Sequence, residues 1–502
     1  MKRRNLSFVL GLVLSASVIA SILLTPATAA VTPSSTYIKN YANVLGNVEY
    51  GLFPEDVQAT SNGGSIALAF TQSANGLGVS WVVKLDSSGS PQWQEEVGCF
   101  SVPPGAYASG VSLRQTADGG YIIGGQTIGC GSKQTCPSLS GIVCGLIEKL
   151  DSGGKLVWAQ VYLAGAGGSA ITQTKQTTDG GFLAVGSATD ANQSTGALIL
   201  KLDGRGNVQW QKKLGPAGST QAYFNAVQQT SDGGYVATGE FYRPTATTPR
   251  TSVLVVKFDS NGDVRWQQAF TGAPSAAEHA PSIIQTSEGG YLVAGNWDST
   301  TSPGTCCRGA LLLKLDANGT IQWQKAYSGG VYCFFNGYSE TCAAIGAVIY
   351  SVRQTSDGGY AVAGEGKLKL NDSTPPVPWL AKVDASGNLL WQYFYYQVYQ
   401  PTGRPLSQYF ASSTLTNGGG YLALGYTENY NNLKTELFAV QTDSAGLVGA
   451  CSQVHPATSL STIDPALTTV APALPVQTTI AVQRNSPSKA LSTSVSGTSG
   501  QC

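Results

Sequence analysis

Apolar residues in this chain come in short unbroken runs, and each run ends in a polar, glycine-rich turn. Ala310-Leu311-Leu312-Leu313-Lys314-Leu315 and Tyr291-Leu292-Val293-Ala294-Gly295 are typical. Neither has the spacing of an amphipathic helix. Runs of this length bounded by turn residues predict strands. Ser282-Ile283-Ile284-Gln285-Thr286 and Thr320-Ile321-Gln322-Trp323-Gln324-Lys325-Ala326-Tyr327 predict two more strands, before and after them. Ser287-Glu288-Gly289-Gly290 and Asp316-Ala317-Asn318-Gly319 predict the tight turns between, with glycine where a positive φ is needed. Together these segments predict four consecutive antiparallel strands.

The pattern recurs. The first glycine of the Gly-Gly turn falls at Gly63, Gly119, Gly180, Gly233, Gly289, Gly358 and Gly419, about 59 residues apart on average. The second half of the repeat ends at Trp93, Trp158, Trp210, Trp266, Trp323 and Trp391; the seventh copy reads Gln441-Thr442-Asp443-Ser444-Ala445-Gly446-Leu447 and has no tryptophan. The period exceeds the roughly 40–50 residues of familiar propeller repeats, so the surplus belongs to loops. Four antiparallel strands in each of seven copies predict an all-β fold, a seven-bladed β-propeller over residues 30–450. Tyr37-Ile38-Lys39-Asn40-Tyr41 matches Trp323-Gln324-Lys325-Ala326-Tyr327 and precedes the first repeat. It is expected to serve as the fourth strand of repeat seven and close the ring, which removes two exposed edges. Leu447-Val448-Gly449-Ala450 is the alternative fourth strand.

The ends add two segments. Met1-Lys2-Arg3-Arg4, the apolar stretch from Leu6 to Leu24 and Ala27-Thr28-Ala29 read as a signal peptide over residues 1–29, with a retained membrane anchor as the alternative. No later stretch approaches the length of a bilayer span. The mature protein is therefore expected to be secreted, either extracellular or periplasmic. Residues 451–502 are rich in Ser, Thr, Ala and Pro, a composition typical of a stalk-like tail. Strand character near Thr468-Thr469-Val470-Ala471 and Thr478-Thr479-Ile480-Ala481-Val482 suggests a short β-hairpin tied back to the propeller.

Charge narrows the function classes. Lys plus Arg and Asp plus Glu are both 29, so the net charge is zero. No basic block exists to neutralise phosphates, which argues against nucleic-acid partners. The ten cysteines of an exported chain imply disulfides. They form three even clusters: Cys99, Cys130, Cys136 and Cys144; Cys306, Cys307, Cys333 and Cys342; Cys451 and Cys502. Bonds are expected within clusters, Cys451 to Cys502 among them, with three connectivities open in each group of four. Paired Cys-x-x-Cys spacings are absent, so no metal and no cofactor is expected.

Strand alternation puts the short, near-identical turns on one face and every long insertion on the other. Loops on rigid scaffolds carry function, so the variable face is the candidate binding surface. Residues 296–308 bring Trp297. Residues 328–344 bring Tyr332, Phe334, Phe335 and Tyr338. Tyr395 and Tyr399 lead into a further long loop. Such aromatics stack on sugar rings or pack against protein partners; the alternative is that they cover their own blades. The repeat tryptophans Trp158, Trp210, Trp266 and Trp323 are expected to pack between neighbouring blades. Lys84, Lys149, Lys201, Lys257, Lys314 and Lys382 each lie two residues before an aspartate and so on its face, which predicts structural Lys–Asp pairs. Asp118, Asp179, Asp232 and Asp357 are expected to bond their own turns. Catalytic groupings are scarce. The two histidines are His279, next to Glu278, and His455 in the tail, and no G-x-S-x-G or H-E-x-x-H occurs.

Lys257-Phe258-Asp259-Ser260-Asn261-Gly262-Asp263-Val264-Arg265-Trp266 and Thr230-Ser231-Asp232-Gly233-Gly234-Tyr235 resemble units of secreted bacterial and archaeal propeller-repeat proteins of the Asp-Gly-Gly-Tyr type. The resemblance spans roughly residues 37–450 and implies architecture, not activity. The Asp-x-x-Gly-x-x-x-Trp element is also similar to the tryptophan-docking motif of quinoprotein dehydrogenases, which spaces its Asp and Gly one residue further apart. The alcohol dehydrogenases of that group carry a vicinal disulfide over their quinone, which would place Cys306 and Cys307 there. Those enzymes have eight blades, however, and Cys306 and Cys307 are expected to bond Cys333 and Cys342 instead. The reading that follows is a non-enzymatic binding protein for a protein or glycan at the cell surface. The alternatives are an extracellular enzyme (a glycan-active hydrolase or lyase, or a quinoprotein) and a structural envelope or filament subunit.

Overall fold

The computed structural model describes residues 36–41, 53–72, 78–98, 107–128, 142–164, 167–215, 221–243, 250–271, 277–302, 305–335, 340–366, 377–395, 398–399, 404–405, 408–416, 418–429 and 434–449, with short strands between 454 and 498. The leader lies outside them. The protein is all-β: no helix occurs among the described residues, and four-stranded antiparallel sheets recur along the chain in a propeller-like arrangement.

Repeat three shows how one unit is built. Gly168–Gln176, Phe182–Thr189, Thr195–Leu202 and Val208–Leu214 pair in chain order, each antiparallel to the next. The first turn bends at Gly180, whose φ is +80°. Asp179 holds this turn as the sequence predicts: its Oδ1 accepts from the Gly181 amide at 3.0 Å and the Thr177 hydroxyl at 2.5 Å.

The lysine pairing differs from expectation. Lys201 does not reach Asp203 two residues on; its Nζ meets Asp179 of the preceding turn at 2.8 Å. Lys149–Asp118, Lys257–Asp232, Lys314–Glu288 and Lys382–Asp357 repeat this at 2.7–3.0 Å. The reason is that the strand ends at Leu202, and Asp203 lies in the next turn. There it accepts from the Arg205 and Asn207 amides at 2.8 Å. Burial works against ionisation of Asp118, Asp179 and Asp232. Hydrogen bonds from lysine, threonine and glycine amide outweigh it, and each carboxyl is brought down to about 2.

The apolar core lies between neighbouring units. Leu183, Val185 and Ile199 of repeat three share one buried cluster with Phe224, Val227 and Leu254 of repeat four. The repeat tryptophans take the expected packing role. Trp210 packs tilted against Tyr235 of the next turn at 5.8 Å between ring centroids, and Trp93–Tyr121, Trp158–Phe182 and Trp266–Tyr291 make the corresponding pair edge-on. Its indole also covers Gly262, where a β-carbon would come within 2.7 Å of the ring and φ is +79°. Polar bonds stitch the same interface. The amides of Ser61, Ala117, Thr178, Ser231 and Ser287 each donate to a glutamine of the next repeat, at 2.7–2.9 Å.

Repeat seven supplies Gln408–Leu415, Tyr421–Asn429 and Lys434–Gln441. Its fourth partner is the N-terminal strand Tyr37–Tyr41, antiparallel to Lys434–Gln441 with Lys39 opposite Ala439. Residues 447–449 form no strand, so the alternative partner falls away. Tyr37 lies over Gly89 as the tryptophans lie over their glycines, and the Tyr41 hydroxyl donates to the Gly89 carbonyl at 2.6 Å. Tyr162, Tyr327 and Tyr395 make the same bond to Gly206, Gly387 and Gly446.

The tail departs from the hairpin expectation. Its short strands do not pair with one another. Val454–Pro456, Ser461–Ile463, Thr468–Val470 and Val476–Gln477 lie antiparallel to the fourth strands of repeats six, five, four and three. Ala481–Asn485 and Lys489–Ser492 do the same for repeats two and one, and Gly497–Thr498 ends on Tyr37–Tyr41. Every fourth strand has a free edge of amides and carbonyls, and a passing segment satisfies it. The tail therefore runs back over the repeats in descending order.

Candidate functional site

The described residues of the irregular loops expected at 296–308 and 328–344 are β-structure. Most strands here span seven to nine residues, but Tyr291–Ser302 spans 12, Thr305–Leu315 11, and Ile321–Phe335 and Glu340–Gln354 15 each. The surplus forms two hairpins that stand beyond the body of the unit. Trp297 pairs with Gly309 across the first. In the second, Tyr332 lies opposite Ala343, Phe334 opposite Thr341 and Phe335 opposite Glu340. Parallel pairing of Thr305 with Cys342 and of Cys306 with Ala343 joins the hairpins into one extension. Cys333 and Cys342 are direct cross-strand partners, so the backbone gathers Cys306, Cys307, Cys333 and Cys342 at one place. The extension thus carries four of the seven predicted aromatic binding residues.

The other three divide. Tyr338 lies outside the described residues. Tyr399 pairs with Arg404 in a two-residue ladder. Tyr395 corrects the expectation: it is fully buried in the fourth strand of repeat six, its hydroxyl held 2.7 Å from the Gly446 carbonyl. It is a packing residue at the same repeat position as Tyr41, Tyr162 and Tyr327. Cys144 is buried and disulfide-bonded; Cys99, Cys130, Cys136, Cys451 and Cys502 lie outside the described residues. His279 lies opposite Asn296 in the strand preceding the extension, and His455 lies opposite Phe394 in the tail. Among the described residues no cluster of His, Cys, Asp and Glu could hold a metal ion.

A second site lies where sequence reasoning did not look. The first strands of all the repeats line a common cavity of about 190 Å³. Each of these strands carries a β-bulge or irregularity that ends at the same point, four residues before the turn threonine. Three residues before that threonine, amides reach across to the preceding repeat: Leu113 to Asp56, Thr174 to Ser112 and Val227 to Gln173, at 2.9–3.0 Å. Ser412 of repeat seven donates to Asp56 of repeat one at 2.8 Å. Two residues before the threonine, the aligned positions are Gln58, Arg114, Lys175, Gln228, Ile284, Arg353 and Thr414. Three of these are cations, and all three face the cavity. Arg114 pairs with Asp56. Glu55, the bulged neighbour of Asp56, has its carboxyl pushed up to about 7 by burial and by that neighbouring charge. Burial, helped by Arg114, pulls Arg353 down to about 10 and holds Lys175 well below the ordinary lysine range. The signal was present as charge at one column of the repeat, but it appears only once the seven copies are aligned on the threonine.

No family model matches the chain, and no curated protein does. A crystal structure of an unknown-function protein from Dyadobacter fermentans DSM 18053 is similar at 15% identity, over 71% of this chain and 97% of that one, with a TM-score of 0.35.

Proposed function

We propose that this chain is an exported, non-enzymatic binding protein, a closed seven-bladed propeller that recognises a protein or glycan at the cell surface through the extension of repeats five and six. The observation that carries the reading is the extension itself. It breaks the repeat, places Trp297, Tyr332, Phe334 and Phe335 on lengthened strands, and brings four cysteines together on the same strands or their neighbours. Aromatic anchors on a braced frame suit recognition, because little side-chain freedom is lost on binding. Ring closure is supported by the pairing of Tyr37–Tyr41 with Lys434–Gln441 and by the cluster that joins Trp81 and Val83 to Leu424 and Leu437. Bonding within the cluster is favoured by the Cys333–Cys342 register, which supports a bond between those two and not the expected bonds from Cys306 and Cys307 to them. Cys451–Cys502 bonding is favoured by the return of Gly497–Thr498 to the closing strand of repeat seven. The filament reading loses support, since the tail strands lie on the chain's own repeats.

Glycan arrays and affinity capture from the native envelope test the proposal, run with the exported protein and with a variant in which residues 329–345 are replaced by a short turn. Binding by the first and not by the second is expected. Clean negatives in both assays, or equal binding by both proteins, would overturn it.

A further inference from the structure

We infer that the cavity between the first strands is a binding site for a divalent oxyanion of the phosphate or sulfate class, held by Lys175 and Arg353. The inference goes beyond the surface recognition proposed above and uses different residues. Three cations converge at one repeat position, and Asp56 pairs with Arg114. That leaves two cations. Among the described residues Lys175 and Arg353 meet no carboxylate at ion-pair distance; Arg353 donates only to the Val352 carbonyl, at 2.8 Å. Packing alone gives no reason to place them there. Glutamine, isoleucine and threonine fill the same position in repeats one, four, five and seven. Two charges brought together inside a cavity repel and lose hydration, so a water-filled cavity gains nothing from them. A dianion reverses both effects. Its oxygens take charge-assisted hydrogen bonds from an ammonium and a guanidinium, the chemistry by which Lys and Arg select phosphate and sulfate. The Ser282 hydroxyl lines the same space and offers a further donor; the Asn225 amide and the Ser351 hydroxyl, also in the lining, donate to Glu240, Ala280 and Ser413. Glu55 also lines it, and its carboxyl, raised to about 7, adds less than a full opposing charge at neutral pH. A cavity of about 190 Å³ admits a tetrahedral oxyanion with its waters.

Isothermal titration of the exported protein with sodium sulfate, sodium phosphate and sodium glucuronate at constant ionic strength tests this. Saturable binding of sulfate or phosphate, about one per chain, is expected, with glucuronate weaker because it carries a single charge. Lys175→Gln and Arg353→Gln are each expected to weaken binding roughly tenfold, the loss of one charge-assisted hydrogen bond. Arg353→Lys should retain part of it. Lys212→Gln, on the fourth strand of repeat three, removes an ion pair with Asp263 and should leave binding unchanged. The wild-type titration needs no variant to fold. Absence of saturable binding to either dianion overturns the inference, as does equal binding by wild type and a folded Arg353→Gln protein. Glucuronate binding as tightly as sulfate would also overturn it.

Discussion

Lys84 illustrates what the repeat asks of its buried lysine. Repeats two, three, four and six set an aspartate against that ammonium, and repeat five a glutamate. Repeat one has Asn62 instead, whose Oδ1 stands 3.3 Å from Lys84 Nζ. Burial lowers the Lys84 ammonium to about 8, against the pull of Asp86. Its folded pKa lies below the unfolded value, so the charged form costs stability below pH 8, and the cost fades as pH rises from 8 towards 10.5. Asn62→Asp is expected to stabilise the protein at pH 7 by about 1 kcal/mol and to flatten that alkaline gain. Thermal denaturation at pH 7 and pH 10 measures both, and an unchanged or lower melting temperature at pH 7 contradicts the account. The aspartates act in the opposite sense. Asp118, Asp179 and Asp232, at about 2 in the folded protein, contribute stability that is full above their unfolded pKa and lost as pH falls through about 2. The triple Asp→Asn variant should be less stable at pH 7 and less sensitive to acid between pH 4 and pH 2. An acid profile identical to that of wild type would remove this role.

Single elements carry the contacts between units, and their weights differ. Trp210 stands against Tyr235 and covers Gly262, so Trp210→Ala opens a gap on two neighbours at once. A loss of about 3 kcal/mol is expected from denaturant unfolding; a loss below about 1 kcal/mol would mean the tryptophan only covers the surface. The tail works by edge pairing. Deletion of residues 452–502 leaves the fourth strands of repeats one to six with open edges. The shortened protein is expected to melt lower and to associate in a concentration-dependent way, read by light scattering. A monomer of unchanged melting temperature would show that the tail strands add nothing. Composition alone concealed this arrangement: a Ser/Thr/Ala/Pro-rich segment reads as stalk until a row of free edges is present to pair with it.

At the scale of the whole molecule, the repeat made the four-strand units legible, because turn glycines and buried runs are local signals. The N-terminal strand that pairs with Lys434–Gln441 was legible too. Tyr37 and Tyr41 copy the spacing of Trp323 and Tyr327, and the copied positions make the same contacts. Partners were harder to read. Lys201 finds Asp179 across a turn, not Asp203 along the chain, since side-chain reach depends on where a strand stops. Tyr395 reads as a loop aromatic by its neighbours Tyr393, Phe394 and Tyr396 and as core by its repeat position; the repeat position was decisive. The cavity cations escaped notice because their meaning lies in seven strands meeting, which no single stretch of sequence encodes.

The account depends on those units closing on themselves. A crystal structure of the protein is the most direct measurement. It should hold seven four-stranded sheets about one axis, with Tyr37–Tyr41 beside Lys434–Gln441 and Lys175 and Arg353 facing the axis. An open array, a count of six or eight sheets, or an N-terminal strand placed elsewhere would contradict the account.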